Sequence, residues 1–231
     1  MNTPPHPTHP TLKKYFGYDS FRPGQEPIIN TLLAGRDSFA IMPTGAGKSI
    51  CYQVPALLLP GITLVISPLI SLMKDQVSSL QSSGISAVFL NSSLTCDEYR
   101  DACWEIGRGL CKLLYVAPER LVSEGFLSLM RDQTISFIAV DEAHCISQWG
   151  QDFRPSYLKI REFVERLPHR PVLGAFTATA TREVRDDILR LLDLHDPVNL
   201  VTGFDRPNLY FEVRHPADKT AAVLELVLDR P

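Results

Sequence analysis

Short apolar runs separated by amphipathic stretches set the rhythm of the chain. The runs cover residues 38–42, 62–67, 87–90, 113–117, 135–140 and 172–176. Each is too short for a helix and too continuous for a half-exposed strand, which predicts strands buried on both faces. Between them the period lengthens. After Pro68, the apolar residues Leu69, Leu72, Met73, Val77 and Leu80 fall on one side of a helix, with Lys74, Asp75 and Gln81 elsewhere. Residues 181–192 predict another helix, entered through Thr181 as its cap. Alternating strand and helix predict an α/β domain with a parallel sheet, helices on both faces, and ligand sites beyond the carboxyl ends of the strands.

The pattern fails at both ends. Residues 1–10 hold four prolines and two histidines, and predict a disordered tail. His6 and His9 on such a segment read as solvated residues rather than a metal site. Near Gly203 the rhythm breaks again. Phe204-Asp205-Arg206-Pro207-Asn208 reads as a linker, residues 209–213 alternate like a strand, and 219–228 read as one more helix. A strand and a helix cannot build a core. The expected division is therefore a tail over 1–10, a nucleotide-binding domain over 11–203, and a linker with the start of a truncated second domain over 204–231.

Composition narrows the class. The chain has 231 residues, of which 45% are hydrophobic, enough for one large core. A net charge of −3 gives no bulk signature of a nucleic-acid binder and leaves any such partner to a local surface. Five cysteines, Cys51, Cys96, Cys103, Cys111 and Cys145, are odd in number and lack C-x-x-C spacing. They fit reduced thiols better than a zinc or disulfide framework. No apolar run approaches the ~18 residues of a membrane span, and no signal peptide is visible. The expectation is a cytoplasmic monomer with no membrane partner.

Two stretches carry chemistry. Met42-Pro43-Thr44-Gly45-Ala46-Gly47-Lys48-Ser49 lies between the run 38–42 and a helix starting near Lys48. Gly45 and Gly47 let the backbone approach phosphate oxygens, and successive N–H groups with the helix terminus supply a positive field. Lys48 would reach the β- and γ-phosphates of ATP, and Ser49 would coordinate Mg2+. The first position of the usual phosphate-loop pattern holds Met42 in place of glycine. Asp141-Glu142-Ala143-His144 follows the run 135–140. A carboxylate there, Asp141, can hold the metal while Glu142 polarises the attacking water. Thr177-Ala178-Thr179, after the run 172–176, either relays the state of the γ-phosphate to the acidic motif or caps a helix.

The longer string Asp141-Glu142-Ala143-His144-Cys145-Ile146-Ser147-Gln148-Trp149-Gly150-Gln151-Asp152-Phe153-Arg154-Pro155 resembles the RecQ family of superfamily 2 DNA helicases. The resemblance extends from Leu12 to Val213. It takes in Phe16-Gly17-Tyr18 with Phe21-Arg22-Pro23-Gly24-Gln25, Ser67-Pro68-Leu69-Ile70-Ser71-Leu72, and Tyr115-Val116-Ala117-Pro118-Glu119-Arg120-Leu121. It implies a RecA-like P-loop NTPase domain, the first motor domain of a 3′-to-5′ ATP-dependent DNA helicase of repair and recombination. Tyr18 would stack on adenine, with Arg22 and Gln25 as polar contacts and Thr44 in the phosphate loop. Ser67 and Ser71 would donate to phosphates of single-stranded DNA, although capping of the helix after Pro68 accounts for them as well. Trp149, Phe153 and Arg154 would sense DNA. Exposed rings can stack on bases for ~1–3 kcal/mol, and the bland alternative is that the two rings tuck into the domain surface. His144 would link the acidic motif to the rest of the motor.

Gln151 stands where the family usually has histidine. It cannot carry a proton near neutral pH, which weakens the expectation of DNA-stimulated hydrolysis. The family's second motor domain and its arginine finger have no counterpart in the sequence, so slow hydrolysis or none is expected. Two other classes compete: a non-catalytic module that binds ATP or single-stranded DNA, and a small-molecule kinase, which leaves the aromatic stretch unexplained.

Overall fold

A computed structural model describes residues 6–203 and 212–228. The strands are β1 (Ser38–Ile41), β2 (Ile62–Ile66), β3 (Ala87–Leu90), β4 (Leu113–Val116), β5 (Ile135–Val140), β6 (Val172–Thr177) and β7 (Val198–Val201). The helices are α1 (Thr8–Phe16), α2 (Gln25–Leu33), α3 (Lys48–Leu58), α4 (Ile70–Ser82), α5 (Cys96–Gly107), α6 (Glu124–Arg131), α7 (Lys159–Glu165), α8 (Arg182–Leu191) and α9 (Lys219–Leu228). The strands form one parallel sheet in the order β3-β4-β2-β5-β6-β1-β7. The six predicted strands are all present. The seventh, β7, alternates between half-buried and exposed residues along its length, and no continuous apolar run marks it.

Alternation within the buried runs divides the core in two. Phe39, Ile41, Leu64, Ile66, Ile138 and Val140 pack beneath α5, α6, α7 and α8. Ala40, Val65, Tyr115, Phe137, Ala139 and Phe176 face the opposite way, under α2, α3 and α4. A further small layer, Leu12 with Ile29 and Val54, seats α1 on the outside of α2 and α3. The helix over 181–192 begins as expected, with the Thr181 side chain accepting from Val184 N–H.

Several expectations need correction. Residues 8–10, expected in the tail, belong to α1, which starts at Thr8 and in which Thr11 Oγ1 donates to Pro7 O. In α4 only Met73, Val77 and Leu80 are buried; Leu69 and Leu72 are 40% and 43% exposed and do not join the apolar face. The linker expected over 204–208 lies outside the described residues. So do 209–211 of the expected strand, and 212–213 are not in a strand. The helix over 219–228 is present as α9 and buries no side chain.

The pole of the sheet away from the strand carboxyl ends is fastened by Asp37. Its carboxylate is 3% exposed and receives Arg170 through two bonds, Nη1 at 3.1 Å and Nη2 at 2.6 Å. It also accepts from the N–H groups of Leu173 at 2.9 Å and His195 at 2.8 Å. A buried charge so paired fixes the entries to β1 and β6 and the approach to β7.

Candidate functional site: a phosphate cradle facing an acidic turn

Strand order brings the two motifs together. β5, β6 and β1 are neighbours, so the loop after β1, the acidic turn after β5 and the threonines after β6 share one rim. The register sets Ile41 against Thr177 and Val140 against Ala175. Lys48 Nζ lies 3.3 Å from Glu142 Oε1, closing the gap between residues 94 positions apart. Around them is a cavity of about 620 Å3 whose walls include Tyr18, Arg22, Lys48, Ser49, Asp141 and Glu142.

The loop before α3 is shaped for an anion. Gly47 caps α3 in the left-handed region at φ 83°, and a Cβ there would stand 2.5 Å from Gln25 Nε2. Only glycine meets both demands. Gln25 is buried: Nε2 donates to Gly47 O at 3.0 Å and Ala46 O at 3.3 Å, while Oε1 accepts from Arg22 N–H at 2.8 Å. Arg22 Nη1 donates to Gly45 O. Arg22 and Gln25, the expected adenine contacts, both line the cavity and also brace the phosphate loop from behind. Tyr18, 53% exposed at the mouth of the cavity, keeps an open ring face for a base. Thr44 and Gly45 lie exposed on the loop.

The acidic turn is strained and tightly bonded. Glu142 sits at φ 46°, ψ 46°, a left-handed conformation that a non-glycine residue adopts only under constraint. Its Oε2 lies 3.3 Å from His144 Nδ1, and that nitrogen is 2.9 Å from Thr177 Oγ1. Thr177 is buried and donates to Thr179 O at 2.9 Å, leaving Thr179 at the surface. The relay expected of the threonines therefore has a bonded path, Lys48 to Glu142 to His144 to Thr177. The His144 hydrogen bond, helped by Lys48, holds the Glu142 carboxyl below its usual range against the effect of burial. Asp141 moves the other way: burial, then the charge of Glu142, push it up to about 6 despite Lys48. Tyr157, fully buried and absent from the sequence-based site, donates to Asp141 O at 2.9 Å. Its signal in the sequence was slight, a single aromatic after Pro155 in a polar stretch.

Ser49 and Asp141 on the cavity wall supply the hydroxyl and carboxylate that Mg2+ takes with phosphate oxygens, and the donor set fits that hard cation. No cage of several carboxylates is needed, because Mg2+ keeps part of its water shell.

The proposed DNA residues separate into two kinds. Trp149 is 77% exposed, and its backbone N–H donates to Ser147 Oγ at 3.2 Å. Phe153 is half-buried, as in the bland alternative. Arg154 is spent within the protein, on Asp152 at 3.0 and 2.9 Å and on Pro68 O at 2.9 Å. It ties the aromatic loop to the segment that starts α4. Gln151 is exposed on that loop. Ser71 is exposed beside Leu69 and Leu72, whereas Ser67 is 3% exposed and lines the nucleotide cavity. Among the described residues Ser71 caps no helix end.

Comparison with known proteins follows the same lines. The DEAD/DEAH box helicase family matches residues 22–187. The ATP-dependent DNA helicase RecQ of Pasteurella multocida is 52% identical over 200 residues, 87% of this chain and 32% of that protein. The protein of the same name from Bacillus subtilis is 47% identical over 223 residues, 96% of this chain and 38% of its own length. In fold, the structure of the DUF1998 helicase MrfA bound to DNA and AMPPNP superposes with a TM-score of 0.69 at 18% identity, over 98% of this chain and 34% of the other. The chain spans about a third of the length of the curated relatives it matches. Among the described residues, no helix is long and apolar enough to cross a membrane.

Proposed function

The chain belongs to the DEAD/DEAH box helicases and is about half identical to RecQ enzymes, and from that premise we propose that it is the ATP-binding motor domain of a RecQ-type 3′-to-5′ ATP-dependent DNA helicase of DNA repair and recombination. The observation that carries the reading is the 3.3 Å approach of Lys48 to Glu142 across the rim of a cavity that Ser49 and Asp141 also line. Without nucleotide, Lys48 is neutralised by Glu142; a triphosphate takes Lys48 over and frees Glu142 to orient water.

Lys48 and the N–H groups at the start of α3 bind the β- and γ-phosphates, and Tyr18 stacks on the base. Ser49 and Asp141 hold Mg2+, which neutralises charge developing on the phosphates. His144 fixes Glu142 from the side of Thr177, so loss of the γ-phosphate is felt at β6 and at the aromatic loop. Trp149 stacks on a base of single-stranded DNA.

Titration with a fluorescent ATP analogue and Mg2+ tests the site. Lys48→Ala removes a charge-assisted contact worth about 1.5–3 kcal/mol, a loss of about 10–100-fold in affinity. Unchanged affinity in that variant would end the reading. A narrower alternative, binding without turnover, is favoured by one observation: Arg22 and Lys48 are the only cationic side chains lining the cavity among the described residues. An arginine finger supplies ~10³–10⁵ in rate in other phosphoryl-transfer enzymes. Phosphate release with and without single-stranded DNA separates the two, since release stimulated by DNA requires catalysis.

A further inference from the structure

Beneath the phosphate loop a line of polar side chains crosses an otherwise apolar layer. Tyr52 and Gln53 on α3 and Tyr115 on β4 are 1%, 5% and 1% exposed, on the face of the sheet covered by α2, α3 and α4. Tyr52 OH donates to Ser49 Oγ at 3.3 Å. The Tyr52 and Tyr115 hydroxyls interact with each other. Gln53 Nε2 donates to Tyr115 OH at 3.2 Å and, with its second hydrogen, to Gln76 Oε1 at 2.8 Å. Gln76 is on α4, whose first turn carries Ser71 and the exposed Leu72. The line therefore starts at the metal-binding hydroxyl and ends on the helix that opens the DNA-tracking segment.

Tyr52, Tyr115 and Gln76 also border the nucleotide cavity, but packing gives no reason for Gln53, which joins them. A buried glutamine is usually replaceable by a leucine or methionine of similar volume, and four linked polar groups are an expensive way to fill a core. We propose that Tyr52, Tyr115, Gln53 and Gln76 form a positioning relay through which occupancy of Ser49 sets the seat of α4, and with it the grip of residues 67–72 on single-stranded DNA. The inference rests on the proposed function, which makes Ser49 a ligand of Mg2+ and residues 67–72 a DNA contact. When Ser49 Oγ turns a lone pair to the metal, its bond from Tyr52 must re-form. Tyr115 and Gln53 then adjust, and Gln76 is the one bond that carries the change to α4. The route is separate from the one through His144 and the aromatic loop. Linkage makes it reciprocal, so bound DNA tightens Mg2+-nucleotide by the same factor.

The test uses the 231-residue chain. The dissociation constant of a non-hydrolysable fluorescent ATP analogue with Mg2+ is measured with and without saturating oligo-dT, and the ratio is the coupling. Wild type is expected to show at least about fivefold tightening, the lower end of typical allosteric couplings. Gln53→Met and Gln76→Met should lower the ratio to the share that the His144 route carries. Gln76→Glu keeps an acceptor for Gln53 Nε2 and should preserve coupling, a rescue that a filler role would not produce. Circular dichroism checks each fold; should Gln53→Met not fold, Gln76→Met on the half-exposed side of α4 carries the test. Persistence of the ratio in both methionine variants overturns the relay. So does a wild-type ratio of one when both ligands bind. If wild type and Lys48→Ala are equally unable to bind the analogue, the nucleotide site itself is wrong and the relay falls with it.

Discussion

Asp141→Asn should make the nucleotide-free protein more stable, and by an amount that depends on pH. The carboxyl is raised from 3.8 to about 6, first by burial and next by the charge of Glu142, with Lys48 giving only partial relief. Folding therefore favours the protonated acid. The sign follows from linkage: stability from this group is fully present below 3.8 and is lost as pH rises through about 6. A gap of that size corresponds to about 3 kcal/mol above pH 7 and about half of that at pH 5. Asparagine is neutral throughout, and its Oδ1 can still accept the Glu142 N–H bond that Asp141 Oδ1 accepts at 3.0 Å. The variant should gain nearly the whole penalty at pH 8 and progressively less toward pH 5.

Urea unfolding without nucleotide at pH 8.0, 6.5 and 5.0, followed by far-ultraviolet circular dichroism, measures the gap. A variant less stable than wild type at pH 8, or a gap that does not narrow on acidification, refutes the assignment of Asp141 as a destabilised, metal-awaiting carboxylate. A second arm checks the purpose of the strain. Ligand at 100 times its dissociation constant stabilises a protein by about 2.7 kcal/mol. Wild type should show that gain with Mg2+-nucleotide, and Asp141→Asn should lose the part that depends on Mg2+.

Three further outcomes follow from particular contacts. Trp149→Ala should weaken oligo-dT binding by about 5–100-fold, the range for one lost base stack, with little change in thermal midpoint because the residue is 77% exposed; fluorescence anisotropy reads the first and calorimetry the second. Arg170→Ala strands the buried Asp37 carboxylate and should cost about 3 kcal/mol in urea unfolding, while the affinity for Mg2+-nucleotide stays within about twofold because the pair lies at the other pole of the sheet. Gly47→Ala forces a Cβ to 2.5 Å from Gln25 Nε2 in a left-handed backbone, and should weaken nucleotide binding by at least about tenfold in the same titration used for Lys48→Ala.

The sheet was legible because its strands are buried on both faces, so each had to be a continuous apolar run. β7 escaped because its residues alternate between half-buried and exposed, unlike β3 at the other edge, which is mostly buried. The residues that the structure gathers at the rim were legible because the phosphate chemistry expected of them leaves little freedom in residue type: glycines where the backbone must approach, a lysine, a hydroxyl, a carboxylate. What supports them was not. Gln25 braces the loop through its amide besides lining the cavity, a task that an amide at that position does not announce and only geometry shows. Arg154, expected at DNA, also joins two segments of the protein, a contact that sequence alone does not show.

A regularity links these misses. Residues that touch phosphate or metal are fixed by the ligand's chemistry, which the sequence reader knows in advance. Residues such as Tyr157, Gln53 and Gln25 are fixed by the protein's own unsatisfied groups, which exist only after folding. A polar side chain inside a stretch that should be core is the one trace they leave, and Gln53, between Tyr52 and Val54 on a buried helix, leaves it plainly. Such a residue must meet a partner or be expelled, so its presence implies a second polar group across the interface. For Gln53 that group is Tyr115, sixty-two positions away, and the pairing binds α3 to β4 at the level of the phosphate loop. The sequence announces that a bond exists there; the sheet order decides with whom it is made, and so where a change in the nucleotide can be felt.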